Sequence, residues 1–389
     1  MGYYCFILFF LSHIIAFGQI SRCSTDEYRA TLKKRGLYNH AKKNNSSNNM
    51  LHGNYTIPIV VHVLYNNNEQ NISDEKIASQ IDVLNDDYNA SNSELMTQDN
   101  VPQEFQDFIG NVGISFCLAQ VDPDGNMSSG INRVSTDIDQ FQGFTDDMKQ
   151  SSEGGIDAWD TEKYLNIWVC NLAGNTLGFA TMPGDVEESP ELDGIVIDYE
   201  YFGVDLSSNS PYNLGRTGTH EIGHYFGLEH TFLAGCSSWD NCDDTPSIAS
   251  PTYGCPSFPQ VSCQSNNMTM NFMDYTNDAC MYMFTDCQAN VMLDVLLDYR
   301  DGLLVGNGSQ CSVSIQEIEG LDIVLYPNPA HNILHISSEK KTSVSVFDIY
   351  GRQVLFLDVI NDVALDVSTL PLGTYFALVD NNVFKFIKH

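Results

Sequence analysis

The chain predicts an α/β domain with a mixed, mostly parallel sheet, then an irregular disulfide-linked lower half, and last a small all-β sandwich. Three observations carry this prediction. Apolar, β-branched runs alternate with a helical repeat through the first part of the chain, the order strand, helix, strand of a parallel sheet with crossovers. Six cysteines then fall among Gly, Pro, Ser and Asp between residues 231 and 287, a stretch held by covalent links rather than by a large core. Beyond residue 321, short alternating strands are punctuated by Pro and Gly, as in a sandwich.

Taken in order, residues 2–18 form an apolar run too short for a stable membrane span, so residues 1–19 are expected to be a signal peptide. Residues 20–53 are polar, with Lys33-Lys34-Arg35 and Lys42-Lys43 ahead of an Asn-rich run, and read as a propeptide to be cut. Cys23, in Arg22-Cys23-Ser24-Thr25, is either an ordinary disulfide partner or a thiolate that fills a metal's open position and holds the protein latent. The main domain is expected over 54–311, a linker over 312–321 and the sandwich over 322–389.

Ile57–Tyr65 is apolar almost throughout, as a strand buried on both faces must be. Ser73 caps a helix whose Ile77, Ile81, Leu84 and Tyr88 recur at helical spacing. Further strands are expected at 112–121, 164–170 and 194–199. Leu177, Gly178, Phe179 and Ala180 form a short strand closed by Pro183; this suits a sheet edge that could pair with an extended peptide. A helix is expected to start between 214 and 217, and another to run over 289–303.

His220-Glu221-Ile222-Gly223-His224-Tyr225-Phe226-Gly227-Leu228-Glu229-His230 is the most informative stretch. On a helix His220 and His224 face the same way one turn apart, so their imidazoles can share a metal. Gly227 can end the helix in the left-handed conformation and bring His230 back as a third ligand. Three neutral imidazoles leave a tetrahedral Zn2+ with an open position, the arrangement of a catalytic site. Glu221 stands beside the first ligand, where a general base belongs. The bland reading, satisfied core histidines, does not explain all five residues at these spacings.

Lys and Arg number 18 against 50 Asp and Glu, a formal net charge of -32. That excess argues against nucleic acid and anionic membranes as partners and fits an extracellular protein. Asp243, Asp244 and Thr245 offer hard oxygens for Ca2+, or form a solvated acidic turn.

Downstream, Asn271-Phe272-Met273-Asp274-Tyr275 adds a turn containing Met. With the long histidine motif it makes the chain resemble the metzincin clan of zinc peptidases. Phe116-Cys117-Leu118-Ala119, Asp157-Ala158-Trp159, Leu165–Cys170 and Asn213-Leu214-Gly215-Arg216 narrow the resemblance to the pappalysin family. That resemblance implies a cleft between an upper sheet half and a lower irregular half, with Met273 as a floor under the imidazoles and Tyr275 donating to the reaction's oxyanion. It implies calcium near the 240s loop and disulfides Cys236 with Cys263 and Cys255 with Cys280. It also implies Asp278 in the pocket for the residue after the scissile bond, where an anion would select Arg. Cys117 and Cys170 are expected to bridge neighbouring strands, and Cys242 and Cys287 are left unassigned. The tail's Tyr326-Pro327-Asn328-Pro329 and Leu372-Gly373-Thr374-Tyr375 resemble the C-terminal sorting domain of type IX secretion, which makes that machinery a partner and the cell surface or medium the destination. The expected activity is that of a secreted zinc endopeptidase acting on proteins or peptides; the alternative is a surface adhesin or binding module with a structural zinc.

Overall fold

A computed structural model describes residues 22–37, 55–96, 100–233, 235–237, 240–304, 311, 324–326, 330–337, 341–348, 352–360, 363–379 and 382–388. The expected signal peptide, the Asn-rich part of the propeptide and the linker lie outside them. The chain divides into two compact units, Met1–Cys311 and Ser312–His389.

The first unit is organised on one strand. In chain order its main sheet comprises β1 (Tyr55–Tyr65), β2 (Ile114–Leu118), β3 (Ile131–Ser135), β4 (Leu165–Cys170), β5 (Gly178–Ala180) and β6 (Ile195–Asp198). Every residue of β1 from 57 to 64 is buried, because neighbours pair on both of its edges and layers cover both faces. β2, β3 and β4 all run parallel to β1, and β6 runs parallel to β4. Of the six, only β5 is antiparallel, closing the edge against β6.

Helices follow from local chemistry. Ahead of β1, α1 (Thr25–Arg35) carries acids in its first turn and bases in its last, which complements the helix dipole, and ends at Gly36 with φ +76°. No apolar period along the chain announces it. Next, α2 (Asp74–Tyr88) starts where Ser73 Oγ accepts from Lys76 N at 3.2 Å, and it buries Ile77, Ile81, Leu84 and Tyr88 in the main core. α3 (Arg216–Tyr225) is buried along its whole length. α4 (Asp286–Asp298) begins three residues before the expected position, because Thr285 and Gln288 form a reciprocal capping box. It stops short of 303 where Arg300 turns back over the Tyr225 ring at 3.4 Å and pairs with Asp193. Among the described residues no helix is long and apolar enough to cross a membrane.

Among the described residues four disulfides tie this unit: Cys117–Cys311, Cys236–Cys263, Cys242–Cys287 and Cys255–Cys280. The expected Cys117–Cys170 bridge does not form. β2 and β4 lie on opposite sides of β1, so a whole strand separates the two sulfurs, and Cys170 keeps a buried thiol.

The second unit is all β, as expected. Val324–Tyr326, Ile333–Ser337 and Val363–Asp366 form one antiparallel sheet; Gln353–Ile360, Lys341–Asp348, Gly373–Val379 and Asn382–Lys388 form another. Both feed one core, Leu334, Ile336 and Leu365 from the first meeting Val344, Val346 and Phe386 from the second.

Candidate active site

The zinc-motif helix is fixed at both ends. At its start, Asp278 Oδ2 accepts from the backbone of Leu214 at 2.9 Å and Arg216 at 3.3 Å, satisfying amides that a helix cannot satisfy itself. Arg216 Nε pairs with buried Asp87 at 3.0 Å, and Asp87 also accepts from Thr219. At its end Gly227 has φ +89°, and a Cβ there would meet Val295 Cγ2 at 2.9 Å, so the sharp turn needs glycine for its conformation and for space. The turn delivers His230. Inside the helix, a Cβ on Gly223 would meet Met273 Sδ at 2.7 Å, which shows how closely Met273 packs beneath the imidazoles.

His220, His224 and His230 converge. His220 Nε2 and His224 Nε2 lie 3.2 and 3.0 Å from His230 Nε2. Their outer nitrogens are committed: His220 Nδ1 donates to Phe272 O at 2.6 Å and His224 Nδ1 to Leu228 O at 2.7 Å, which turns the Nε2 lone pairs inward. Burial and the neighbouring imidazoles hold both rings well below the usual histidine range, so protons cannot relieve the crowding. Cys23 Sγ reaches the same point, all four ligand atoms lying within 4.8 Å of one another. Inward lone pairs and a thiol in one buried cluster are the donor set of zinc, and these residues fit that ion.

Glu221 is fully buried beside them. Burial pushes its carboxyl up to about 8; Oε2 accepts from Thr25 Oγ1 at 3.1 Å and Cys23 Sγ at 3.4 Å, while Oε1 has no hydrogen-bond partner. Gly178 makes room for it, since a Cβ at 178 would lie 3.0 Å from Glu221 Cγ. Tyr275 Oη is 3.2 Å from His230 Nε2 and donates to Cys23 O at 3.3 Å. The Met273 turn is braced by Asn271, which accepts from Met273 N at 2.9 Å and exchanges amide bonds with Gln288 of α4.

Residues 22–37 lie in the cleft between these walls, and several of their contacts were not anticipated. Arg22 is completely buried; its guanidinium donates to Asp278 Oδ1 at 2.9 Å and to Thr276 O at 2.8 Å, and lies over the Tyr212 ring. Ser24 N donates to Gly178 O at 3.0 Å and Ala180 N to Thr25 Oγ1 at 3.0 Å, so the segment lies along the β5 edge. Asp26 bonds His230 Nδ1 at 3.2 Å, and Arg29 pairs with Glu229 and buried Asp185. The available signal for Arg22 was its place next to Cys23, opposite an acid already singled out. Leu177 is fully buried, and Phe179 is covered by Tyr28 of α1, their ring centroids 4.8 Å apart.

Two of the three expected calcium ligands, Asp244 and Thr245, make hydrogen bonds of their own. Thr245 Oγ1 donates to both oxygens of Asp240, at 2.7 and 2.8 Å, and Asp244 accepts from Thr285 Oγ1 and Cys287 N at the start of α4.

A parallel sheet with an antiparallel edge, three convergent imidazoles with a buried glutamate, and a methionine turn beneath them are the arrangement of the zinc metallopeptidase class. The family model for pregnancy-associated plasma protein-A matches residues 149–297, and the model for the secretion system C-terminal sorting domain matches residues 324–389. Mature mirolysin of Tannerella forsythia, solved with a cleaved peptide, is 44% identical with a TM-score of 0.63 over 66% of this chain and 98% of its own. A promirolysin mutant of that organism is 39% identical, with a TM-score of 0.66 over 75% of this chain and 100% of its own. An extracellular metalloprotease of Podospora anserina is 35% identical over 195 residues, 48% of this chain and 61% of its own length. The chain spans half to about three-fifths of the first curated relatives it matches. It belongs to the pappalysin family of metallopeptidases, and its tail marks it for export by type IX secretion.

Proposed function

We propose that this protein is a secreted zinc endopeptidase, made as a latent precursor, that cuts peptide chains ahead of arginine. The observation that carries the reading is the buried cluster of three inward Nε2 atoms with Glu221 alongside. Zinc bound there supplies a Lewis acid that polarises the scissile carbonyl and lowers a water's pKa toward about 7. His220, His224 and His230 are the ligands, and Met273 supports them. Glu221 takes the water's proton and passes it to the leaving amine. Tyr275 Oη, already beside His230, donates to the developing oxyanion. The backbone of Gly178 and Ala180, which Ser24 and Thr25 engage in the precursor, aligns the substrate as an added strand.

Latency and specificity are supported by one four-residue stretch. Cys23 completes a closed set of four metal ligands, and Arg22 fills the Asp278 pocket with the side chain a substrate would place there. A closed set of one cysteine and three histidines is also what a structural zinc in an adhesin would have. The two differ once the segment is removed, because a structural site gains nothing from an exposed general base. Asp244 enters the proposal as a brace for α4, and calcium held by Asp243, Asp244 and Thr245 is the reading set against it. The deciding experiment is Glu221→Ala, which should retain zinc by elemental analysis and lose about 10²–10⁴-fold in peptide hydrolysis after proteolytic activation; undiminished hydrolysis would sink the mechanism.

A further inference from the structure

The segment that covers the cleft also fills a socket unused by catalysis or by the Cys23 latch. Tyr28 of α1 is fully buried, its ring centroid 4.8 Å from that of Phe179, in an apolar cluster with Leu32, Trp168, Val186 and Leu192. The inner end of that socket is charged. Tyr28 Oη donates to Asp146 Oδ1 at 2.6 Å, and Lys149 Nζ donates to the same Oη at 3.4 Å. Lys149 Nζ lies 5.0, 5.3 and 5.6 Å from the ring centroids of Tyr28, Trp168 and Phe179. Asp146 and Lys149 are 2% and 1% exposed.

Their partners are unevenly placed. Lys149 also donates to Leu192 O at 2.6 Å, a partner outside α1, but the Asp146 carboxylate is held by Tyr28 and by Arg35, both on the segment that must leave. Displacing the segment therefore takes away both of those contacts and opens an aromatic-walled hole beside a cation and an anion. Water can replace those polar contacts but leaves the aromatic wall uncovered, so the socket favours a side chain that both fills the wall and restores the contacts. A phenol does so: its ring refills the wall and its hydroxyl donates to Asp146.

The position of the socket gives the side of the substrate. Arg22 sits at Asp278, Cys23 at the imidazoles, and Ser24 and Thr25 follow the β5 edge away from Asp278 toward Tyr28. The inference rests on the proposed peptidase mechanism, in which Asp278 receives the residue after the scissile bond, so the socket faces residues before it. We propose that, in the activated protein, Asp146, Lys149, Trp168 and Phe179 form a subsite for a tyrosine on the N-terminal side of the scissile bond. The prosegment then imitates a substrate at two places, with its chain direction reversed.

The test uses the full chain cut within residues 38–54 and freed of the segment, with peptides that carry Arg after the scissile bond and Tyr, Phe or Ala two, three or four places before it. At one of these places Tyr should exceed Phe by about tenfold in kcat/KM, the worth of one hydrogen bond to a charged group, and Ala by more. Asp146→Ala should close the Tyr-to-Phe gap; Lys149→Met should narrow it and serves if Asp146→Ala does not fold. Equal rates for Tyr, Phe and Ala at all three places would overturn the subsite while leaving the peptidase reading intact. If no peptide is cut, the peptidase reading fails. The subsite is then judged by binding of the same peptides to the zinc-loaded Glu221→Ala protein, where tighter binding of the Tyr peptide supports it and equal affinities overturn it.

Discussion

The two walls of the cleft are rigid for different reasons. Above it, residues 55–230 form a sheet whose central strand is buried from 57 to 64, so hydrophobic burial fixes β5 and α3 without any cross-link between them. Below it, the described residues of 231–285 form only two-residue strands and short 3-10 turns, held by Cys236–Cys263, Cys242–Cys287 and Cys255–Cys280 together with polar clamps such as Asn271–Gln288. The proposed chemistry draws on both walls: Glu221 and the β5 edge belong to the upper, Met273, Tyr275 and Asp278 to the lower. An irregular wall can wrap a side chain, as Arg22 is wrapped, whereas a strand edge presents a generic backbone rail. In the proposed mechanism, selectivity after the scissile bond would therefore belong to the lower wall and alignment to the upper.

The largest effect is expected where the lower wall meets the reaction. Tyr275→Phe should lower kcat by about 10²–10³-fold at unchanged zinc content, because it removes the hydroxyl proposed to donate to the oxyanion. A loss confined to KM would assign Tyr275 to binding and make the lower wall a passive one. Next in size, Cys255→Ser with Cys280→Ser opens a bridge of sequence separation 25 that encloses the Met273 turn. It should cost about 3 kcal/mol. Amide exchange should rise in residues 255–280 while β1 and β4 stay protected; equal loss of protection in the sheet would show that the walls are not independently stabilised. Asp278→Asn is expected to reduce the preference for Arg over Leu after the scissile bond by about tenfold or more, measured as a ratio of kcat/KM. Because Asp278 also caps α3, some loss of Tm should accompany it, and Asp278→Asn precursors should activate faster as Arg22 loses its anion.

Legibility in the sequence followed the same division. Burial leaves a periodic trace along the chain, so β1, α2 and the spacing of His220, His224 and His230 could be read directly. Covalent and ionic partners leave none. Cys117 pairs 194 residues away with Cys311, and Arg22 meets Asp278 across 256 residues, separations at which spacing carries no information about distance. The assignments made for Cys236 and Cys255 came from a family resemblance, and where that resemblance gave no guide, at Cys242 and Cys287, no partner could be named. α1 was missed for another reason: its polar face dominates its composition, and its two buried apolar contacts, Tyr28 and Leu32, are too few to make a period.

The smallest effect tests whether polar clamps or an ion complete the lower wall. Asp244 accepts from Thr285 Oγ1 at 2.7 Å and from Cys287 N at 2.9 Å, so it extends the capping box and puts a negative charge at the N-terminus of α4. Asp244→Ala should cost about 1 kcal/mol, the typical worth of such a cap. As a brace, Asp244 acts without any cation, so calcium or a chelator of calcium should leave the wild-type Tm unmoved and the cost of Asp244→Ala unchanged. An ion site behaves differently: ligand that binds only the folded state raises its stability with concentration, so chelation would lower the wild-type Tm by as much as the substitution does. In that outcome Thr245 must release Asp240 to free its carboxylate, and Asp240→Asn would abolish the calcium response. The lower wall would then owe its order to a third agent besides disulfides and hydrogen bonds, and the contrast with the upper wall would widen.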